Sequence, residues 1–337
     1  MRSAGYLFPL VALSELAAVH AAAGTLWHGA PGVAASCIAE SSVGDAFHRL
    51  HRPNHNAADG PRATPGATDG HAVSPATGCT DTFVGYLVPV SGTDLPNSSN
   101  TGVPVGTPLK SSGAIEVNKP GTVISGLDVR GYIYVDAPNV TIRGVRIDAT
   151  TWGGITVTSK GAGVLIEDSE ILSTWTGGNT KGIIFDGNSG GTIQRNNIHG
   201  VEDGVYLQGD HFAVSGNYIH DSRAGAPDPH ADGVQVSADS RDIVESNNNI
   251  AYDNSTNSSF TVGNNEGPVE RLRLEGNLFG GGGYTVRCDG RGQYPMTDIV
   301  VMNNRIARGF SGYTAFEGKC SPSLIGNILL NGRTKSN

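Results

Sequence analysis

The chain has 337 residues, room for one large domain with further segments. Glycine is abundant at 48 residues and only 16% of residues are charged; glycine in a helix interior costs about 1 kcal/mol against alanine, so the composition excludes a helix bundle. The formal net charge of -8 speaks against a phosphate-backbone partner, which needs a basic surface, and no nucleic acid is expected.

Residues 1–23 have the layout of a secretory signal peptide. Arg2 supplies the positive start, "YLFPLVAL" the short apolar core, and "HAAAG" a small-residue cleavage site after Ala23, with Glu15 and His20 as departures. A secreted, extracellular protein is expected. No later run approaches the ~20 apolar residues of a membrane span. Residues 24–78, rich in Pro, Gly, Ala, Asp and Asn, show no apolar periodicity and are expected to be disordered or of low complexity. Their histidines (His28, His48, His51, His55 and His71) match no compact metal site. Residues 79–122 are assigned to an N-terminal cap and first strands, since a first coil has to be shielded from edge pairing.

From about residue 105 the sequence repeats. One phrase recurs as "VTIRGVRI", "VLIEDSEI", "GTIQRNNI", "FAVSGNYI", "DIVESNNNI", "LRLEGNLF", "IVVMNNRI" and "SLIGNIL". A second follows it as "GGITVTS", "KGIIFDG", "DGVYLQG", "DGVQVSA", "SSFTVGN", "GYTVRCDG" and "YTAFEGK". In the second phrase Val205 and Leu207 flank Tyr206, and Val234 and Val236 flank Gln235. Period-two alternation means strands with one buried face. With no helices between them, the strands of successive coils have to stack in parallel about 4.8 Å apart, as a solenoid. Asn196, Asn217, Asn248, Asn277, Asn304 and Asn327 each stand two places before the apolar stop of the first phrase. In a stack their amides lie above one another and satisfy turn backbone groups. The same register puts Cys288 and Cys320 near one strand on neighbouring coils and pairs them as a disulfide, leaving Cys37 and Cys79 as the other pair.

This repeat grammar and its asparagine ladder resemble the pectate-lyase-like right-handed parallel β-helix superfamily. The stretches "NTGVPVGTPL", "VISGLDV", "VTIRGVRI" and "HADGVQV" resemble a group of secreted bacterial β-helix proteins, over about residues 98–332. The resemblance implies an all-β, single-stranded right-handed parallel β-helix of about eight to nine coils over residues 123–332, with a tail at 333–337. It says much about fold and little about reaction.

Aligned on its inward residues, the second phrase puts Lys181, Asp203 and Asp232 just before the glycine on three successive coils. The strand's outward position then gives Thr156, Ile184, Tyr206, Gln235, Thr261 and Thr285, and the next outward row Thr158, Asp186, Gln208, Ser237, Gly263 and Arg287. Two carboxylates one coil apart want a proton, a cation or Lys181 between them. Asp203 and Asp232 could hold Ca2+, form an acid/base pair for glycoside hydrolysis, or cap the turn before each glycine. His230 lies two residues before Asp232 in the densest polar cluster of the chain. The "DPH" of Asp228, Pro229 and His230 resembles a motif of mannuronan C-5 epimerases, β-helix enzymes related in mechanism to alginate lyases. That resemblance implies site roles for Asp228 and His230, with Tyr206 and Lys181 standing in for the family's Tyr and Lys. His199 and His220 follow the apolar stops of adjacent coils, where they either bond turn backbone or line a groove edge.

These residue types suit a uronate polymer. Removing the proton α to a carboxylate requires neutralisation of that carboxylate, by a cation, Lys or Arg, and a base such as Lys181 or His230. Tyr206, Gln208, Gln235, Arg287, His199 and His220 are the candidate substrate-binding residues. The leading expectation is a monomeric lyase or epimerase acting on an acidic polysaccharide. The alternatives are a glycoside hydrolase using the paired Asp residues and a non-catalytic glycan-binding or cell-surface solenoid.

Overall fold

The computed structural model describes residues 95–187, 190–223, 230–237, 239–252 and 257–331. The leader at 1–23, the segment at 24–78, Cys37, Cys79 and Asp228 lie outside them.

Twenty-eight short strands run from Lys110 to Leu330, and no helix occurs among the described residues. They form three parallel sheets of ten, nine and nine strands, which the chain visits in strict rotation. Each strand therefore pairs with the third strand before it and the third after it, and every pairing between strands is parallel. The strands are short because each flat side of the coil is short, and the β-branched residues that fill them suit a pleated, half-buried surface.

The core is a set of aliphatic rows running along the solenoid axis. One row of the second sheet reads Ile133, Ile155, Ile183, Val205, Val234, Phe260 and Val286. A row of the first sheet reads Val129, Ile147, Ile171, Ile198, Ile219, Ile250 and Phe279. All are fully buried or nearly so, and each contributes roughly 1.5–3 kcal/mol of apolar burial. A row of the third sheet contains one exception. Ile142, Ile166, Ile193 and Val214 are followed by Glu245, then by Leu274 and Val301.

Each third-sheet strand passes to the next first-sheet strand through a tight corner. The first corner residue adopts a left-handed conformation, as at Asp168, Asn247 and Asn303, or is a glycine such as Gly216. This backbone state is costly for most side chains and cheap for glycine and asparagine. The second corner residue is the ladder asparagine. Asn217 Nδ2 donates to Asn248 Oδ1 at 3.0 Å, while the Asn217 backbone N–H donates to the same oxygen at 2.9 Å. Asn248 repeats this with Asn277 at 3.0 and 2.9 Å, and the ladder continues to Asn304 and Asn327. Each amide also donates to a backbone carbonyl of the preceding coil, as Asn248 does to Val214 at 2.9 Å.

Cys288 and Cys320 form a disulfide between the last coils, with their Cα atoms 6.0 Å apart. The first two strands, Lys110–Ser112 and Ile115–Val117, already pair into the solenoid. Residues 95–103 do not cover its first coil. They lie beside coils in the middle of the stack, where Gly102 N–H donates to the Arg195 carbonyl at 2.9 Å and Asn249 Nδ2 to the Pro96 carbonyl at 2.9 Å. Among the described residues no helix is long and apolar enough to cross a membrane.

Candidate functional site

The corner between the first and second sheets opens each second-sheet strand, and on four successive coils, at Gly154, Gly182, Gly204 and Gly233, a glycine is required there. A Cβ on Gly204 would come within 2.5 Å of the Gly233 carbonyl oxygen, and one on Gly182 within 2.6 Å of the Gly204 oxygen. The side chain just before each glycine thus falls in an axial row. Gly153 pairs with Lys181 and Lys181 with Asp203; continuing the Val205–Val234 and Val234–Phe260 pairings adds Asp232 and Ser258.

Within this row the groups engage one another in sequence. Lys181 Nζ forms an ion pair with Asp203 Oδ2 and lies 5.1 Å from the centre of the Tyr206 ring. Asp203 Oδ1 accepts the Asp232 backbone N–H at 3.0 Å. Asp232 Oδ1 accepts the Ser258 N–H at 3.0 Å, and its Oδ2 accepts Asn257 Nδ2 at 3.3 Å. Asn257 Nδ2 also lies 3.4 Å from His230 Nδ1. Asp203 and Asp232 are almost wholly buried, whereas His230 is exposed and Lys181 partly so.

Burial pushes the Asp232 carboxyl up to about 7, against the hydrogen bonds from Ser258 and Asn257 and the charges of Arg287 and Lys181. Desolvation lowers the Lys181 ammonium below the usual lysine range, opposed by the charges of Asp232 and Glu202. The cluster therefore holds a carboxyl that titrates near neutrality beside a destabilised ammonium, and perturbed groups of this kind concentrate at functional sites.

Glu202 is an element the sequence did not single out. Its Oε1 accepts the His230 backbone N–H at 3.0 Å and its Oε2 the Asn179 N–H at 2.5 Å. One buried carboxylate thereby ties the segment before Lys181 to the segment before Asp232. Tyr252 supports it from the core, its hydroxyl donating to the Glu202 carbonyl at 2.9 Å. Asn257 was missed as well. Neither occupies a repeated residue type: the positions before the row read Trp152, Thr180, Glu202, Ala231 and Asn257.

Among the described residues no group of three or more His, Cys, Asp and Glu side chains is arranged to hold a metal ion. Each of the four carboxylate oxygens of Asp203 and Asp232 already faces a protein donor. This geometry does not suit Ca2+, which draws its affinity from open oxygen ligands. Nor does it suit a hydrolytic carboxylate pair, which needs both groups open to a sugar between them.

Arg287 requires a correction of register. It pairs with Thr261, and so joins the row of Tyr206 and Gln235; the row of Gln208 is continued by Asp289. The inward pair of its strand is Val286 and Cys288, buried in the core, while Thr285 is buried at the corner and Tyr284 is exposed. Arg287 Nη2 lies 3.2 Å from Asp289 Oδ2, and Arg287 acts on Asp232 from the same sheet.

His199 and His220 stand on the first sheet, not with the Lys181 row. They pair across adjacent coils with ring centres 5.1 Å apart. His220 is buried on Tyr218 at 3.9 Å, its Nδ1 2.7 Å from Asp221 and its Nε2 2.9 Å from Asn197 Oδ1. His199 Nε2 lies 3.2 Å from Glu170 Oε1 and holds that carboxyl below its usual range.

Three rotating parallel sheets with a ladder at one corner define the class: a right-handed parallel β-helix protein. Residues 113–279 match the family model described as "Right handed beta helix region". That stretch holds twenty whole strands and the start of the next, and so about seven turns, slightly fewer than the coils expected for the whole solenoid. Two solved structures of the periplasmic alginate epimerase AlgG, a single and a double mutant, are similar at TM-scores of 0.50 and 0.51. Each is 16% identical, with 62% of this chain and 50% of the epimerase chain covered. The catalytic domain of Agl-KA is similar at a TM-score of 0.46 and 11% identity, covering 65% of this chain and 47% of that one. The chain spans about half the length of these structures, and at such identities the likeness is one of fold. No curated protein sequence matches the chain.

Proposed function

We propose that this protein is a secreted carbohydrate-active enzyme that abstracts the proton α to the carboxylate of a uronate polymer, with lyase or epimerase outcome. The observation that carries the reading is the run of Lys181, Asp203 and Asp232 along one corner on three successive coils, with His230 exposed at the Asp232 end of the run and the Asp232 carboxyl raised. Lys181 reaches solvent from a buried carboxylate strut and neutralises the substrate carboxylate, acidifying the neighbouring C–H. His230, exposed at the same corner two coils on, accepts the proton. Asp203, Asp232 and Glu202 are too buried to touch the sugar; they are positioning residues that fix Lys181 and the His230 backbone. Tyr206, Gln235 and Arg287 share the outward row along which a polymer can lie, and Arg287 supplies a second positive charge for a uronate. Secretion is supported by the leader-like residues 1–23 and by the Cys288–Cys320 disulfide, which persists in oxidising compartments. The alginate epimerase likeness supports the solenoid as a scaffold and leaves the sugar to experiment.

The test is Lys181→Ala and His230→Ala, assayed on polymannuronate and polygalacturonate. Elimination is read as ultraviolet absorbance of an unsaturated sugar, epimerisation as inversion at C5 by NMR. Each substitution is expected to cost about a hundredfold or more in rate with unchanged circular dichroism. Full activity in both variants, or release of reducing ends without either signature, refutes the assignment.

A further inference from the structure

Five large aromatic side chains are exposed among the described residues: Tyr134, Trp152, Trp175, Tyr284 and Phe310. All five lie on the outward face of the second sheet or in the corner leading into it, and none on the other two sheets. Scattered exposed aromatics are ordinary, but confinement to one side of a three-sided solenoid marks a binding face.

Two of them, with Tyr132, line a cleft of about 380 Å3, together with Glu116, Thr151, Gly153 and Thr156. Tyr132 and Tyr134 alternate outward around buried Ile133, and Tyr134 pairs with Glu116 on one side and Thr156 on the other. The Tyr132 hydroxyl lies 3.4 Å from Glu116 Oε1. Gly153 keeps the floor open, since a Cβ there would crowd Ile184 and Thr156 at 3.0 Å. The cleft adjoins the site described above. Gly153 pairs with Lys181, and the Lys181 N–H donates to the Trp152 carbonyl at 2.7 Å. One coil spacing, about 4.8 Å, thus separates Trp152 from the lysine and two separate Tyr132 and Tyr134 from it, and a pyranose unit of an extended glycan is about one such spacing long.

From this placement we infer that Tyr132, Tyr134 and Trp152 form a sugar-stacking subsite for a pyranose unit next to the one that reacts. The inference rests on the reading of the Lys181 row as a glycan site and adds the direction of the polymer, along the solenoid axis from Lys181 toward the first coils. The chemistry is that of a sugar and not of a flat apolar ligand. The C–H face of a pyranose lies against aromatic rings, while its hydroxyls donate to Glu116 and exchange hydrogen bonds with Thr151 and Thr156. The Glu116 charge turns the carboxylate of that unit outward, away from the cleft. Pockets of this size take one or two such units.

The experiment uses the full chain and three probes: hexamannuronate, hexagalacturonate and the neutral hexamer cellohexaose. Mannuronate and galacturonate, the single sugars, serve as short controls. Binding is read by calorimetry and by quenching of tryptophan fluorescence. Trp152→Ala and Tyr134→Ala are each expected to weaken the best-bound acidic hexamer about tenfold, and to raise KM with little change in kcat. The single sugars, too short to reach from the reacting position into the cleft, are expected to bind as before. Trp152→Phe keeps a ring and is expected to retain most of the affinity, which separates stacking from loss of fold. Unchanged hexamer affinity in the Tyr134→Ala, Trp152→Ala double variant overturns the inference, as does a wild-type protein that binds none of the hexamers or prefers cellohexaose. Should those variants weaken the hexamer while Lys181→Ala retains full turnover, the subsite stands and the assignment of the reaction falls. Should Lys181→Ala be inactive and the double variant bind normally, the reverse holds.

Discussion

Glu245 stands in an aliphatic row of the third sheet, between Val214 and Leu274, wholly buried. Neither carboxyl oxygen has a hydrogen-bond partner among the described residues. Burial pushes this group from its ordinary 4.5 up to about 8. The folded protein therefore holds the proton more tightly than the unfolded chain does. The contribution of this group to stability is greatest below pH 4.5, falls as pH rises, and reaches its floor above about 8. At about 1.4 kcal/mol per pH unit, the loss across that window is ~5 kcal/mol. Asp232, pushed up to about 7, adds a decline of its own in the same direction, so the diagnostic quantity is the difference between wild type and variant. Glu245→Gln removes the charge, and Glu245→Leu also restores the row. Urea denaturation between pH 5 and 9 is expected to show a shallower fall for both variants, with Glu245→Leu more stable than wild type by several kcal/mol at pH 8. If wild type and Glu245→Gln lose stability with the same slope, the carboxyl is not held uncharged in the core and the argument fails.

Three further outcomes follow from the solenoid. Asn248→Ala takes the shared acceptor from the Asn217 backbone N–H and side-chain amide and the amide donor from the Val214 carbonyl at once; at about 1–3 kcal/mol per buried group left unpaired, it is expected to lower stability by ~4 kcal/mol. Asn327→Ala, on the last, half-buried rung, is expected to cost clearly less in the same denaturation series. Cys288→Ser with Cys320→Ser opens a loop closed over a sequence separation of 32 residues, and the melting point is expected to fall by the equivalent of about 3–4 kcal/mol. Gly204→Ala sets a Cβ within 2.5 Å of the Gly233 carbonyl and of Ile219; its lower melting temperature, without loss of parallel-strand circular dichroism, checks the close approach of the coils.

The fold was legible because its determinants repeat. Alternation around Tyr206 and Gln235 marks one sheet, and the asparagines from Asn196 to Asn327 mark one corner, so stacking follows from the text of the chain. Rows were legible only while the inward pair was unambiguous. In "GYTVRCDG" the buried pair is Val286 and Cys288, but Tyr284 and Val286 have the same spacing. A slip of two residues leaves every side chain on its own face, so hydrophobic pattern cannot detect it, whereas a slip of one would bury Arg287. Hence Arg287 was expected one row too far out. The meeting of Lys181, Asp203 and Asp232 could be counted from the repeats. Their burial could not, because it depends on the next coil's backbone N–H folding over each carboxylate. Glu202 and Asn257 were illegible for a different reason: each acts once, Glu202 on loop backbone N–H groups and Asn257 on the Asp232 and His230 side chains, and nothing periodic announces them. Glu245 was hidden by the opposite ambiguity, since Val244 beside it is the outward residue.

The ladder corner admits just two residues from Gly144 onward, coil after coil, while the corner before the second sheet does not keep a constant length. Three residues separate Ala149 from Gly153, seven separate Ser173 from Lys181, three His199 from Asp203, and thirteen His220 from Val234. Insertions there leave every rung of the stack in place, because the strands on either side are paired to neighbours and not to the loop. One edge of the prism is thus a fixed spine and another is free to be rewritten, and it is along the rewritable edge that Lys181, His230 and the exposed tryptophans lie. A solenoid of this build can change what it recognises without renegotiating how it folds.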